Sequence, residues 1–220
     1  MIYLVASFIR KLIFLNNDST GYSEVDRQQL IHTISIITIM PWDQSILEEF
    51  RSALPRGEEN EEEYYPPYHT ILTHLFPREE HFRFYYMGYI RPDVSIMFLI
   101  AYHGDPVFLV KVKAARQIHD ESCRASADRE LREMFAELYN NLKIPILHGV
   151  SAIGTKLCFY KYSKRMQQIE PGRVPYYMFT APRDRWNLDL LTPEGEQRLR
   201  DVVGHIKRMC RARLARFFSS

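Results

Sequence analysis

Asp93, Lys111 and Lys113 are the residues whose types and spacing best suit chemistry in this 220-residue chain. They belong to RPDVSIMFLIAYHGDPVFLVKVKAA, residues 91–115. Two short runs there, Val94–Ala101 and Val107–Lys113, are rich in Val, Ile, Leu and Phe, and the breakers His103, Gly104, Asp105 and Pro106 separate them. The pattern predicts two buried strands joined as a β-hairpin. Side chains alternate across a strand, so Asp93 shares a side with Ser95 and Met97, and Leu109, Lys111 and Lys113 share a side of the second strand. Pairing symmetric about Gly104 puts Asp93 across from the region of Lys113. A carboxylate and ammoniums so placed can form a strand-end ion pair, and two lysines on one side can grip a phosphate.

A Pro-Asp opening one strand, a lysine near the end of the next and a helix after it resemble the core of the PD-(D/E)XK nuclease superfamily. The likeness extends to Gln117 after the lysine motif and to IPILHGVSAIGTKLCFYKY, which resembles the strand-turn-strand that closes the core in fungal proteins of that superfamily. The likeness spans roughly Phe82–Tyr162. It implies a restriction-endonuclease-like core in the order strand, hairpin, helix, strand, strand. It also implies that Asp93 and a second acid hold Mg²⁺ through hard oxygen ligands, while Lys113 orients the attacking water and offsets charge on the phosphate. The second acid belongs two residues before the lysine, and there this chain has Lys111. An ammonium about 4 Å from a unit cation is repelled by roughly 4 kcal/mol at an effective dielectric of ~20, where a carboxylate would be attracted by as much. The substitution reverses the sign of the site.

The expectation is therefore a catalytically inactive nuclease-fold protein that binds nucleic acid or protein and needs no cofactor. The alternative is a Mg²⁺-dependent nuclease whose missing carboxylate comes from Glu49, Glu130 or Glu133. Nucleic-acid contacts are expected from Lys111, Lys113 and Gln117, and from Lys207, Arg208, Arg211 and Arg213 near the C-terminus, a basic run that Arg216 extends. Two other chemistries are excluded. VFLVKVK lacks the Gly-rich loop and the HRD and DFG patterns of protein kinases, and HTILTH lacks the glutamate of a zinc-protease helix.

The elements that must position these groups are read as α/β, a mixed central sheet flanked by helices with helical additions at both ends. Residues 1–80 form a helical N-terminal part, with expected elements Met1–Leu15, Glu24–Met40, Gln44–Ala53 and His69–Phe76. PRGEENEEEYYPP, residues 55–67, packs like charges closely and predicts an extended, mobile surface loop. The core, 81–163, comprises a strand from His81 to Ile90, the hairpin, a helix from Ser122 or Ser126 to Asn141, and strands Ile144–Val150 and Lys156–Tyr162. In 164–220, Val174–Thr180 predicts an extra strand. Thr192-Pro193-Glu194 then opens a last helix with a capping threonine and a proline at its first position.

With 46% hydrophobic residues the chain can bury one sizeable core and reads as a single domain. Its net charge of +2 conceals an asymmetry: residues 1–110 carry 8 Lys/Arg against 15 Asp/Glu, and residues 111–220 carry 21 against 12. The basic half can follow a phosphate backbone or pair with the acidic half. Cys123, Cys158 and Cys210 are odd in number and widely spaced, which argues for a reducing, intracellular compartment, cytoplasmic or nuclear, and against a zinc module. Arg10 and Lys11 interrupt the apolar first 15 residues, so a packed helix is expected there rather than a bilayer span or signal sequence.

Overall fold

The computed structural model describes residues 42–86, 97–173 and 181–217. The chain divides into two compact units, Met1–Met40 and Pro41–Ser220, and every described residue belongs to the second. The expected elements Met1–Leu15, Glu24–Met40 and Val174–Thr180 lie outside the described residues, as do Asp93 and the first residues of the hairpin.

The described unit is mixed α/β. Helices α1 (Gln44–Gly57) and α2 (Tyr65–Leu75) precede strands β1 (Phe82–Tyr86), β2 (Met97–Tyr102) and β3 (Asp105–Lys113). Helix α3 (Glu121–Leu138) leads to β4 (Ile146–Ile153), β5 (Lys156–Ser163), β6 (Gln168–Glu170) and β7 (Leu188–Asp189), and α4 (Pro193–Phe217) ends the unit. The sheet runs β1-β2-β3-β4-β5-β6, with β7 also on β5. Only β3 and β4 pair in parallel, and α3 is the crossover that parallel neighbours require.

The hairpin forms, but Asp105 and Pro106, expected as breakers between the strands, open β3 and leave His103 and Gly104 as the turn. Met97 pairs with Lys111 and Phe98 with Val110, the register symmetric about Gly104, before a bulge at Ile100/Ala101. His103 and Gly104 turn the chain with φ of 48° and 87°, the doubly left-handed geometry of a tight two-residue hairpin loop. From Val107 to Lys113 every residue of β3 is buried, because helices cover both faces of the sheet. On one face α3 packs so closely that a Cβ on Gly149 would lie 2.8 Å from the Phe135 ring. On the other, Phe76, at the C-terminal end of α2, meets Phe108 at 5.6 Å and α4 brings His205 to His148. A strand covered on both faces is rich in apolar residues, and the run Val107–Val110 is what made β3 visible in the sequence.

Several boundaries move. Residues 55–67 are not an extended loop: α1 continues to Gly57, a 3₁₀ turn spans Glu61–Tyr64, and Pro66 and Pro67 sit in the first turn of α2. Arg56 pairs with Glu63 and Arg116 with Glu59, relieving the acidic run. Tyr64 and Tyr68 are buried, Tyr68 donating to the Gly154 carbonyl at 2.8 Å. The cap of α3 is Asp120, not Ser122 or Ser126; its carboxylate accepts from the amides of Ser122 and Cys123, satisfying donors the helix leaves open. Helix α4 starts as expected, with the Thr192 hydroxyl accepting from the Gly195 amide. No helix among the described residues is long and apolar enough to cross a membrane.

Candidate functional site

Strand alternation turns Lys111 and Lys113 to the α3 face, and one helical turn aligns Ser126 with Glu130 on the facing side of α3. The side chains converge. Lys111 Nζ lies 2.5 Å from Glu130 Oε2, and Lys113 Nζ 3.1 Å from Oε1, which also accepts from the Ser126 hydroxyl. Lys111 is fully buried, Lys113 is 9% exposed. Burial raises the Glu130 carboxyl, but hydrogen bonds from Lys111 and Ser126 and the two ammonium charges outweigh it and bring the group down to about 2. Burial pulls the Lys111 ammonium down, opposed by the hydrogen bond and charge of Glu130, and the charge of Glu61 from the 3₁₀ turn also reaches it. A carboxylate held this low stays charged at neutral pH and offers the Lys111 ammonium a counter-ion.

The other candidates fall elsewhere. Glu133 is exposed beside Arg129, at 3.8 Å. Glu49 sits on α1 with its Oε2 buried and without a hydrogen-bond partner, and no ion pair joins it to either lysine. Gln117, in the 3₁₀ segment Ala115–His119, buries its Oε1 without a partner. Of the three acids proposed as substitutes, the fold brings Glu130 alone onto the lysines.

The C-terminal basic run does not stand open. Lys207 pairs with Glu80 at 2.7 Å, Arg211 reaches the same carboxylate at 3.5 Å, and Arg213 meets Asp105 at 2.5 Å. These acids are distant in the chain, so a local scan of charge found none. Arg208 alone of the four is exposed without an acid partner among the described residues.

Two polar clusters escaped the sequence reading. On the α3 face, Asp128 accepts from Tyr160 at 2.8 Å, from Arg132 through two bonds and from Arg185 at 2.9 Å. Arg132 and Arg185 both donate onward to the Gly172 carbonyl. The Asp128–Arg132 spacing of one helical turn was the available signal. On the opposite face His148 Nε2 and His205 Nδ1 lie 3.0 Å apart, within hydrogen-bond distance. Nothing local marks that pair.

Mg²⁺ wants about six oxygen ligands in near-octahedral array. Among the described residues Glu130 has its oxygens engaged by two ammoniums and a hydroxyl, Glu61 adds its charge at Lys111, and no cluster of three or more His, Cys, Asp or Glu is able to hold a metal. Asp93, the other acid the resemblance implies as a ligand, lies outside the described residues. No protein-family model, curated protein or solved structure matches the chain.

Proposed function

We propose that the chain is a nuclease-fold protein of the PD-(D/E)XK type that no longer cleaves and acts by binding nucleic acid or protein. The order β1, β2–β3 hairpin, α3, β4, β5 agrees with that reading. The observation that carries it is the Lys111–Glu130 contact: a buried ammonium stands where the family places an acid, with a carboxylate closed over it at 2.5 Å. Fold alone assigns no activity in so widely reused a scaffold, and the inverted charge at Lys111 is what separates binding from cleavage. Positive charge by itself holds ground state and transition state alike, which suits binding better than cleavage. The second reading, a Mg²⁺-dependent nuclease with a relocated carboxylate, draws on Glu130 lying at the lysines.

The test is incubation of the protein with single- and double-stranded DNA and RNA in Mg²⁺ and in Mn²⁺, beside Asp93→Ala, Lys113→Ala and Glu130→Ala. The expected result is no cleavage and no metal-dependent rise in melting temperature, since an ion that does not bind the native state cannot stabilise it. Cleavage lost in all three variants, with a saturable thermal shift, would establish the second reading.

A further inference from the structure

Beyond the Lys111 site, α3 ends at a cleft of about 590 Å³ on the same face of the sheet, a size usual for small-ligand sites. From Glu130 to Tyr139 the helix rises roughly 14 Å at ~1.5 Å per residue, so the two places are distinct. Tyr139, 42% exposed, and Tyr162, nearly buried, line the cleft with ring centroids 6.1 Å apart. The turn into β6 adds the exposed amides of Gln167 and Gln168. Two guanidiniums reach the cleft and differ in what they can do. Arg132 is committed to Asp128 and to the Pro171 and Gly172 carbonyls. Arg173 is exposed, and no acid pairs with it among the described residues. Among the described residues no carboxylate lines the cleft.

Each feature narrows the ligand. A half-exposed aromatic ring with its neighbour held beside it offers a platform for a flat group. Paired amides present donors and acceptors together, as the edge of a heterocyclic base demands. A guanidinium without a counter-ion, in a cleft without carboxylates, selects an anion and binds phosphate through a planar fork. We propose that this cleft binds a nucleotide, its base on Tyr139, its base edge at the Gln167 and Gln168 amides and its phosphate at Arg173. The nucleotide is free or a unit of a single strand, because a duplex keeps its bases stacked and out of reach. The proposal holds whether or not the Lys111 site cleaves.

The experiment measures equilibrium binding of the full chain to AMP and UMP by titration calorimetry, and to short oligo(dT) and oligo(rU) by fluorescence anisotropy. Tyr139→Ala, Tyr139→Phe and Arg173→Ala are run alongside, with circular dichroism confirming that each exposed-site variant is folded. Stacking on one aromatic ring is worth enough that Tyr139→Ala should weaken binding about tenfold or more, while Tyr139→Phe keeps it. Arg173→Ala should weaken it too, and the loss should shrink at high salt. Binding of the mononucleotides with these losses identifies a free-nucleotide site, and binding of the oligonucleotides alone with the same losses identifies a strand-binding site. No saturable binding of either, or affinities unchanged in both alanine variants, would overturn the proposal. Neither outcome bears on the metal and cleavage tests of the Lys111 site.

Discussion

Lys111 on β3 and Glu130 on α3 meet at 2.5 Å, the lysine with no exposed surface. The contact ties the crossover helix to the strand it leaves. Its energetics are asymmetric, because breaking a buried pair strands a charge while replacing the lysine with an apolar group does not. Glu130→Gln, which leaves two ammoniums facing a neutral amide, should lower unfolding stability by about 3 kcal/mol, whereas Lys111→Met should cost far less or nothing. Urea unfolding of both variants checks this, and equal losses would contradict it.

Acid should weaken the protein in two stages. Burial, His205 and the charges of Arg198 and Lys161 hold His148 down at about 4, from 6.5. His205 is lowered by burial and by Arg208 and Lys161. For a depressed histidine the unfolded chain takes up protons first, so stability is full above pH 6.5 and falls as pH drops toward 4, by roughly 3 kcal/mol for His148 at ~1.4 kcal/mol per unit. Glu130, lowered from 4.5 to about 2, adds a second loss across that lower window. Urea midpoints from pH 7 to pH 3 should show both, and His148→Phe should remove most of the first.

Asp128 gathers the charges that hold the segment after β6. Asp128→Ala would leave Arg132, which is 4% exposed, without its carboxylate, and the expected cost is about 3–5 kcal/mol. Hydrogen exchange should show the β6 amides, Gln168–Glu170, losing protection, since Arg132 and Arg185 anchor through Asp128 the carbonyls of Pro171 and Gly172 that follow the strand. Global destabilisation without that local change would mean the network does not position the segment.

Gly149→Ala tests how tightly α3 sits on the sheet. Its Cβ would lie 2.8 Å from the Phe135 ring and 3.5 Å from Leu131, so α3 must shift, at a cost of roughly 1–3 kcal/mol. A neutral thermal melt would show that the ring can move aside.

If the basic C-terminal helix contacts phosphates, Arg208 should carry more of the effect than Lys207. Lys207 is neutralised by Glu80, while Arg208 is exposed and without an acid partner among the described residues. Arg208→Ala should reduce the salt slope of polyanion binding by about one, and Lys207→Ala by less. Affinity that does not change with salt would argue against phosphate contact at this helix.

Local pattern sufficed for much of the described fold. The Val107–Lys113 run, the His103-Gly104 turn, the stripe Leu131, Met134, Phe135 and the Thr192-Pro193 helix start each state their own geometry, because apolar periodicity and turn residues act within a few positions. The sequence also determined that Lys111 and Lys113 share a face. Which acid answers the lysines was decided by the fold: Glu130, Glu133 and Glu49 are equivalent as letters, and only packing of α3 on β3 singles out Glu130. The acidic run 55–67 folded because Arg116, brought in from beyond β3, and buried Tyr64 offset its repulsion. Lys207, Arg211 and Arg213 of the basic cluster were met by Glu80 and Asp105, and His148 found His205 across 57 positions. Charges and hydrogen bonds act through space rather than along the chain, so their partners are set by tertiary structure, and a local scan shows the groups without showing what they meet.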